Sequence, residues 1–118
     1  MKETRQLLGK LGEEAACRAL VTRGHSILCR NFRCRFGEID IISRDRDAIV
    51  FTEVKTRSGL LFGTPAEAVD RKKRMRITNS AIFFLKQNNI NESFCRFDVI
   101  EVLNKGGKLR CRHIKNAF

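Results

Sequence analysis

The chain has 118 residues, a length that fits one domain and is too short for two domains that each bury a good core. Its composition, 42% hydrophobic and 31% charged, is that of a globular protein and excludes a disordered or collagen-like chain. The 24 lysines and arginines outnumber the 13 acidic residues and give a net charge of +11, which favours a polyanionic partner, nucleic acid before any other.

Cellular location is predicted from what the sequence lacks. No apolar run approaches the roughly 20 residues that a membrane helix needs, and the polar N-terminus has no signal-peptide core. The five cysteines include no Cys-x-x-Cys pair, so we predict a cytoplasmic protein with reduced thiols and no membrane partner. A zinc site is the alternative, although the ligand spacing is poor; it would use Cys29, Cys34, Cys111 and His113.

The first predicted element is a helix over residues 4–23. Gly9 and Gly12 each lower helix stability relative to alanine, which indicates either that another element approaches closely or that the helix simply tolerates them. Apolar residues three or four positions apart mark the side predicted to face the core: Leu8, Leu11, Ala15 and Ala19.

The remaining elements complete the order α-β-β-β-α-β-β. Strands are predicted over 26–32, 38–43 and 48–56, and again over 94–103 and 108–114. Between the two groups, Thr64, Pro65 and Glu67 form a helix-start pattern that predicts a second helix from 64 to about 86. Helices interspersed with a mixed sheet predict an α/β or α+β sandwich in a single domain spanning residues 1–118.

Acidic residues and a lysine are predicted to meet on the hairpin of the second and third strands. If Arg46 and Asp47 are the two central residues of its turn, Asp40 lies opposite Glu53 and Glu38 opposite Lys55. Ile42 and Phe51 continue the same face toward the core.

Two opposed carboxylates repel each other, so a partly buried pair needs a cation or a shared proton. Lys55 supplies one positive charge, and an oxygen-only ligand set suits Mg²⁺ or Mn²⁺ for the rest. An exposed strand face with cross-strand salt bridges would produce the same alternation, and the pattern alone does not separate the two interpretations.

The same residues carry a family resemblance. Asp40 followed by Glu53-x-Lys55 matches the signature of the PD-(D/E)XK nuclease superfamily, and the chain more closely resembles the YraN family of small bacterial proteins, which is similar to archaeal Holliday-junction resolvases. The matching segments occur in the family's order along nearly the whole chain: Gly9-x-x-Gly12-Glu13-x-x-Ala16, Arg30-Asn31-Phe32, Gly37-Glu38-Ile39-Asp40, Phe51-x-Glu53-Val54-Lys55-x-Arg57, Ala68-Val69 with Lys73, and Arg96-Phe97-Asp98-Val99.

The resemblance implies a restriction-endonuclease-like αβββαβ core with an extra C-terminal strand, and a role for each site residue. Asp40 and Glu53 would bind the metal, together with the Val54 carbonyl and with Glu13 from the first helix. Lys55 would orient or help to deprotonate the attacking water and stabilise charge on the phosphate.

Basic residues near this site are the predicted nucleic-acid contacts. Lys73 lies on the apolar side of the second helix and either extends outward to solvent or reaches the carboxylates or a phosphate. The full predicted set is Lys73, Arg74, Arg76 and Arg57.

The other candidates have structural interpretations. The nine phenylalanines are assigned to the core, which disfavours an aromatic base-stacking platform. His25 and His113 have no partner at catalytic spacing, and Asp98 is as readily explained by a pair with Arg96.

These observations favour a Mg²⁺- or Mn²⁺-dependent nuclease acting on duplex or branched DNA. A non-catalytic nucleic-acid-binding module with a vestigial metal site is the second hypothesis, and a basic scaffold for a protein partner or ribosomal RNA the third. Whether the chain forms a homodimer is left open.

Overall fold

The computed structural model describes residues 2–59 and 69–118. In these residues the elements are α1 (Lys2–Thr22), β1 (Ser26–Cys34), β2 (Gly37–Asp45), β3 (Ala48–Ser58), α2 (Arg71–Gln87), β4 (Phe94–Lys105) and β5 (Lys108–Ile114). The predicted α/β fold, an αβββαβ core with an extra C-terminal strand, is confirmed.

The five strands form one mixed sheet in the order β1-β2-β3-β4-β5. β3 and β4 are parallel neighbours, and α2 lies in the connection between them. The other neighbouring pairs are antiparallel. A parallel pair requires a crossover connection, which is why the second helix lies between these two strands.

The predicted register of the β2–β3 hairpin is confirmed. Asp45 pairs with Ala48 across the two-residue turn, and Ile42 pairs with Phe51. Arg46 takes up a positive φ of 59° at the first turn position, as tight hairpin turns require. The turn therefore fixes which side chains of β2 and β3 share a face.

The core has two layers, one on each face of the sheet. On one face, Ile42, Phe51 and Val99 pack against Ile77 and Phe84 of α2. On the other face, α1 packs against β2 and β4. The buried residues of this second cluster include Ala16, Leu20, Ile41, Ile100 and Val102. We refer to these as the α2 face and the α1 face.

The side of α1 that packs on the sheet differs from the predicted one. Leu11 is 48% exposed, whereas Gly12 is buried. A Cβ at Gly12 would overlap Thr56 Oγ1 and lie 3.1 Å from Thr56 Cβ, while a Cβ at Gly9 would meet nothing within 4 Å. The close approach predicted from the two glycines is therefore real at Gly12 alone.

No helix in the described part of the chain has both the length and the apolar character of a membrane span.

Among the described residues, the second helix begins at Arg71. Its N-cap is Asp70, whose backbone is extended (φ −81°, ψ 175°) and whose Oδ1 accepts a hydrogen bond of 2.8 Å from the Lys73 amide. A continuous helix from residue 64 is excluded by this extended residue. The predicted start at Thr64, Pro65 and Glu67 lies outside the described residues.

Candidate functional site

The candidate site lies where β2 and β3 separate. Their ladder runs from Asp45 and Ala48 as far as Ile41 and Thr52. In the same register Val54 would pair next with residue 39, but the Val54 amide instead donates a 2.7 Å hydrogen bond to Asp40 Oδ2. The Asp40 carboxylate thus substitutes for a strand partner, and we refer to Asp40, Glu53 and Val54 as the fork.

The Val54 carbonyl points into the same space. In an antiparallel ladder one residue directs its N–H and C=O toward the same neighbouring strand. Because the Val54 amide faces Asp40, its carbonyl faces the gap between β2 and β3 as well. The fork therefore presents two carboxylates and one backbone carbonyl, all oxygen ligands.

Asp40 and Glu53 are partly buried and repel each other, so the pair favours an added positive charge. Glu53 is 7% exposed, and its carboxyl group lies near enough to that of Asp40 for its charge and a side-chain hydrogen bond to act on Asp40. Burial, followed by the charge of Glu53, raises the pKa of Asp40 from its ordinary value near 3.8 to about 7. Near neutral pH Asp40 is therefore close to half protonated unless a cation joins the pair.

Lys73 supplies part of the positive charge that this pair favours. Its Nζ lies 2.5 Å from Glu53 Oε1, so of the two alternatives predicted for Lys73 the structure shows the contact with the carboxylates. Burial alone would lower the pKa of Lys73, but the hydrogen bond and charge of Glu53 outweigh it and raise the pKa. Lys73 thus stays protonated as the counter-ion of Glu53.

Lys55 follows Glu53 on the same face of β3. Burial lowers the pKa of Lys55, and the positive charge of Lys73 lowers it further. A lysine with a lowered pKa gives up or accepts a proton nearer neutral pH than a solvated one does. Glu38, predicted opposite Lys55, instead forms a 3.2 Å exposed ion pair with Arg33 of β1.

Glu13 approaches the fork from α1 without completing a ligand set. Burial and the negative charge of Asp40 raise the pKa of Glu13. Across the residues that the structure describes, no three His, Cys, Asp or Glu side chains converge closely enough to hold a metal ion. The ligand donors that the fork itself offers are Asp40, Glu53 and the Val54 carbonyl.

The three arginines predicted to contact nucleic acid have different surroundings in the structure. Arg57 lies 3.5 Å from the buried Glu101 carboxylate, which also accepts a 2.8 Å hydrogen bond from Arg112. Arg74 donates to the Val69 carbonyl and stacks over Phe118. Arg76 is exposed and lines a pocket of about 220 Å³ that Glu53 and Lys73 also line, so it is the arginine of this set placed at the candidate site.

A second polar cluster, not predicted, lies on the α1 face at the turn end of the hairpin. The histidines thought to lack partners have them: His113 Nε2 lies 2.7 Å from Asp98 Oδ2, and His25 Nδ1 lies 2.9 Å from Ser43 Oγ. The Arg96–Asp98 pair is confirmed, with hydrogen bonds of 2.9 and 3.0 Å. Alternating polar residues in strands were the available signal; they are Ser43 and Asp45, Arg96 and Asp98, with His25 and His113 beside them.

The alternative zinc set is not assembled. Cys29 packs against the cluster on the α2 face, and Cys111 packs against the cluster on the α1 face. The sheet therefore lies between two of the four proposed ligands. All five cysteines are free.

Comparison with known proteins places the chain in a family. The model of the uncharacterised protein family UPF0102 matches residues 12–102, a span that includes the whole fork. A UPF0102 protein of Symbiobacterium thermophilum is 46% identical over 112 residues, covering 94% of this chain and 95% of that protein. A UPF0102 protein of Pelotomaculum thermopropionicum is 43% identical over 120 residues and is covered completely, as is this chain. The expected YraN family is thereby confirmed, and the chain belongs to the uncharacterised protein family UPF0102.

Proposed function

We propose that the protein is a divalent-metal-dependent nuclease of the PD-(D/E)XK superfamily that hydrolyses phosphodiester bonds in DNA. The observation that carries the proposal is the fork, where the carboxyl groups of Asp40 and Glu53 interact just beyond the end of a strand ladder. Structural carboxylates are normally paired with cations, yet this pair keeps Asp40 at a pKa of about 7 even with Lys73 in contact with Glu53. Such a site is built to accept further positive charge.

The residues present fit Mg²⁺ or Mn²⁺. Asp40, Glu53 and the Val54 carbonyl would hold the ion, a set of oxygen ligands with the one or two carboxylates that Mg²⁺ commonly uses while it keeps several waters. When bound, the ion would polarise the phosphate and lower the pKa of a water molecule. Zinc is disfavoured because the fork offers neither thiolate nor imidazole.

The protein's own groups divide the remaining work. The hydrogen bond from the Val54 amide fixes the orientation of the Asp40 carboxylate. Lys73 neutralises Glu53 and holds it in place. Lys55, with its lowered pKa, is suited to take the proton of a water molecule or to place positive charge against a phosphate oxygen.

DNA is the proposed substrate because of the net charge of +11 and the exposed arginine beside the fork, Arg76.

A cleavage assay tests the proposal and shows whether the substrate is linear or branched DNA. End-labelled linear, nicked and four-way-junction DNA are incubated with the protein, with and without Mn²⁺. We expect Mn²⁺-dependent products from at least one substrate, and their loss in Lys55→Ala while Mn²⁺ binding by calorimetry persists. Products that form equally in EDTA, or Lys55→Ala products at the wild-type rate, contradict the proposal.

A non-catalytic nucleic-acid-binding protein is the second candidate. The observation in its favour is the Lys73–Glu53 ion pair, which balances half of the carboxylate charge without any metal. This candidate predicts the same DNA affinity in EDTA and in Mn²⁺, and no cleavage of any of the three substrates.

A further inference from the structure

A sizeable cleft lies far from the fork, at the turn end of the β2–β3 hairpin. Its volume is about 590 Å³, within the range of small-molecule sites, and it is bounded by the end of α1, the hairpin turn and the start of β4. Asp45 in its wall and Asp40 in the fork are five residues apart on β2. At the rise of a β-strand that separation is about 17 Å, so the cleft is a different site.

Asp45 in the wall of the cleft belongs to a hydrogen-bonded network of charged side chains. Arg96 donates two hydrogen bonds to the fully buried Asp98 and one of 3.1 Å to Asp45. His25 lies 3.5 Å from the same Asp45 carboxylate. The Asp45 carboxylate is therefore already compensated within the protein, whereas Asp47, which also lines the cleft, is an exposed carboxylate.

Three further cations line the cleft. They are Arg23 just after α1, Arg46 in the hairpin turn and Lys115 after β5, whose charge also helps to lower the pKa of Asp45. None of the three forms an ion pair within the parts of the chain that the structure describes, residues 2–59 and 69–118. Three such cations around one concave surface match the phosphates of a nucleic-acid strand.

An exposed aromatic ring completes the cleft. Phe94 is 73% exposed, contrary to the prediction that all nine phenylalanines lie in the core. It lines the basic cleft and also a neighbouring hollow that contains Asp47 and Glu92. Burying this ring against a base removes apolar surface from water, and carboxylates beside it can accept hydrogen bonds from a base amino group such as that of cytosine.

We propose that this cleft binds an unpaired nucleotide of a nucleic-acid strand, with the base stacked on Phe94 and the phosphates on Arg23, Arg46 and Lys115. Stacking on an aromatic side chain needs a base whose face is free, so the ligand is a single-stranded segment rather than intact duplex. The site is independent of cleavage at the fork. It is assayed in EDTA, so its failure and the failure of the proposed nuclease activity are distinguished.

The test measures fluorescence anisotropy of two labelled oligonucleotides of equal length, oligo-deoxycytidine and its abasic counterpart. Phe94→Ala should weaken binding of oligo-deoxycytidine about tenfold, the order expected for one lost base stack, and leave the abasic strand unchanged. Phe94→Leu, which keeps the apolar bulk, should lose as much, and Phe94→Trp should bind at least as tightly as wild type. Ile82→Ala is the matched control, because Ile82 is also exposed (45%) but lies on α2.

The cations are tested by charge reversal. Arg46→Glu with Lys115→Glu should weaken binding of both strands more than Lys108→Glu with Arg110→Glu, a pair of exposed residues on β5 that changes the net charge equally. Equal losses for the two double variants would mean that net charge alone drives binding and would overturn the proposal. An unchanged affinity of Phe94→Ala for oligo-deoxycytidine would also overturn the proposal. A loss of self-association in Phe94→Ala without any loss of strand binding would do the same, because Phe94 would then contact protein.

Discussion

Replacement of Asp40 by asparagine tests the repulsion at the fork. Asparagine has nearly the same shape, and its side-chain oxygen can still accept the hydrogen bond from the Val54 amide. What disappears is the carboxylate charge beside Glu53. Asp40→Asn should therefore leave the fold intact and make the metal-free protein more stable at pH 8.

The magnitude follows from the pKa of Asp40. The folded value of about 7 exceeds the ordinary value near 3.8 by roughly three units, and each unit corresponds to about 1.4 kcal/mol. Ionised Asp40 thus costs up to about 4 kcal/mol of folding free energy, and we expect Asp40→Asn to recover about 2–4 kcal/mol at pH 8. For a chain of this length that is a rise in Tm of about 5–15 °C.

The sign of the pH dependence is fixed by linkage. Between about pH 4 and pH 7 folded Asp40 holds a proton that the unfolded chain releases, so wild-type stability from this group is full below pH 4 and is lost as the pH rises through 7. Because asparagine does not ionise, Asp40→Asn does not lose stability over this pH range. The advantage of the variant should accordingly be small at pH 4.5 and reach its full size by pH 8.

Thermal melts in EDTA at pH 4.5, 6, 7 and 8, repeated in excess Mn²⁺ at pH 8, measure both effects. Bound Mn²⁺ should raise the Tm of wild type, since a ligand present at about 100 times its Kd adds about 2.7 kcal/mol, and should not raise that of Asp40→Asn. Asp47→Asn, an exposed carboxylate in the turn of the same hairpin, is the control and should follow wild type. Identical pH dependence in Asp40→Asn and wild type, or equal Mn²⁺ stabilisation of the two, would refute this account of the fork.

Three further outcomes are expected. Gly12→Ala should destabilise the protein in urea unfolding, because its Cβ would overlap Thr56 Oγ1, whereas Gly9→Ala should stabilise it by up to about 1 kcal/mol; equal effects would show that α1 does not pack as described. Duplex DNA affinity in EDTA should fall steeply with salt, and Arg76→Gln should weaken it for all sequences alike, whereas affinity that does not change with salt would exclude phosphate contacts as its source. Thiol titration of the unfolded, unreduced protein should count five free thiols, and a lower count would show disulfide or metal-bound cysteine.

The hairpin and its register were predictable because local rules determine them. A two-residue turn at Arg46 and Asp47 sets the opposed pairs of the β2–β3 ladder as far as Ile41 and Thr52, beyond which the strands separate. The break in helix at Asp70 was not predictable in this way. Asp70 is a good N-cap, but sequence pattern alone does not show that a helix begins there.

Contacts between distant segments account for the rest. The Lys73–Glu53 ion pair joins α2 to β3, and helix periodicity gives only the side of the helix on which Lys73 lies, not its partner. The buried side of α1 was misassigned because, besides Leu20, it is formed by small residues that carry little hydrophobic contrast: Gly12, Ala16 and Cys17. The exposure of Phe94 depends on how the start of β4 meets the hairpin turn, which the local strand pattern does not determine.

The hydrogen bond between Val54 and Asp40 gives the fork a built-in reporter. A backbone amide that donates to a carboxylate senses the charge of that carboxylate directly, so the proton and nitrogen resonances of Val54 should shift as Asp40 titrates and shift again when the carboxylate turns to a cation. Its hydrogen-exchange rate should likewise depend on one side chain instead of on the strand ladder. A single amide signal in an NMR spectrum would then follow the state of the fork, without any substitution or label at the site itself.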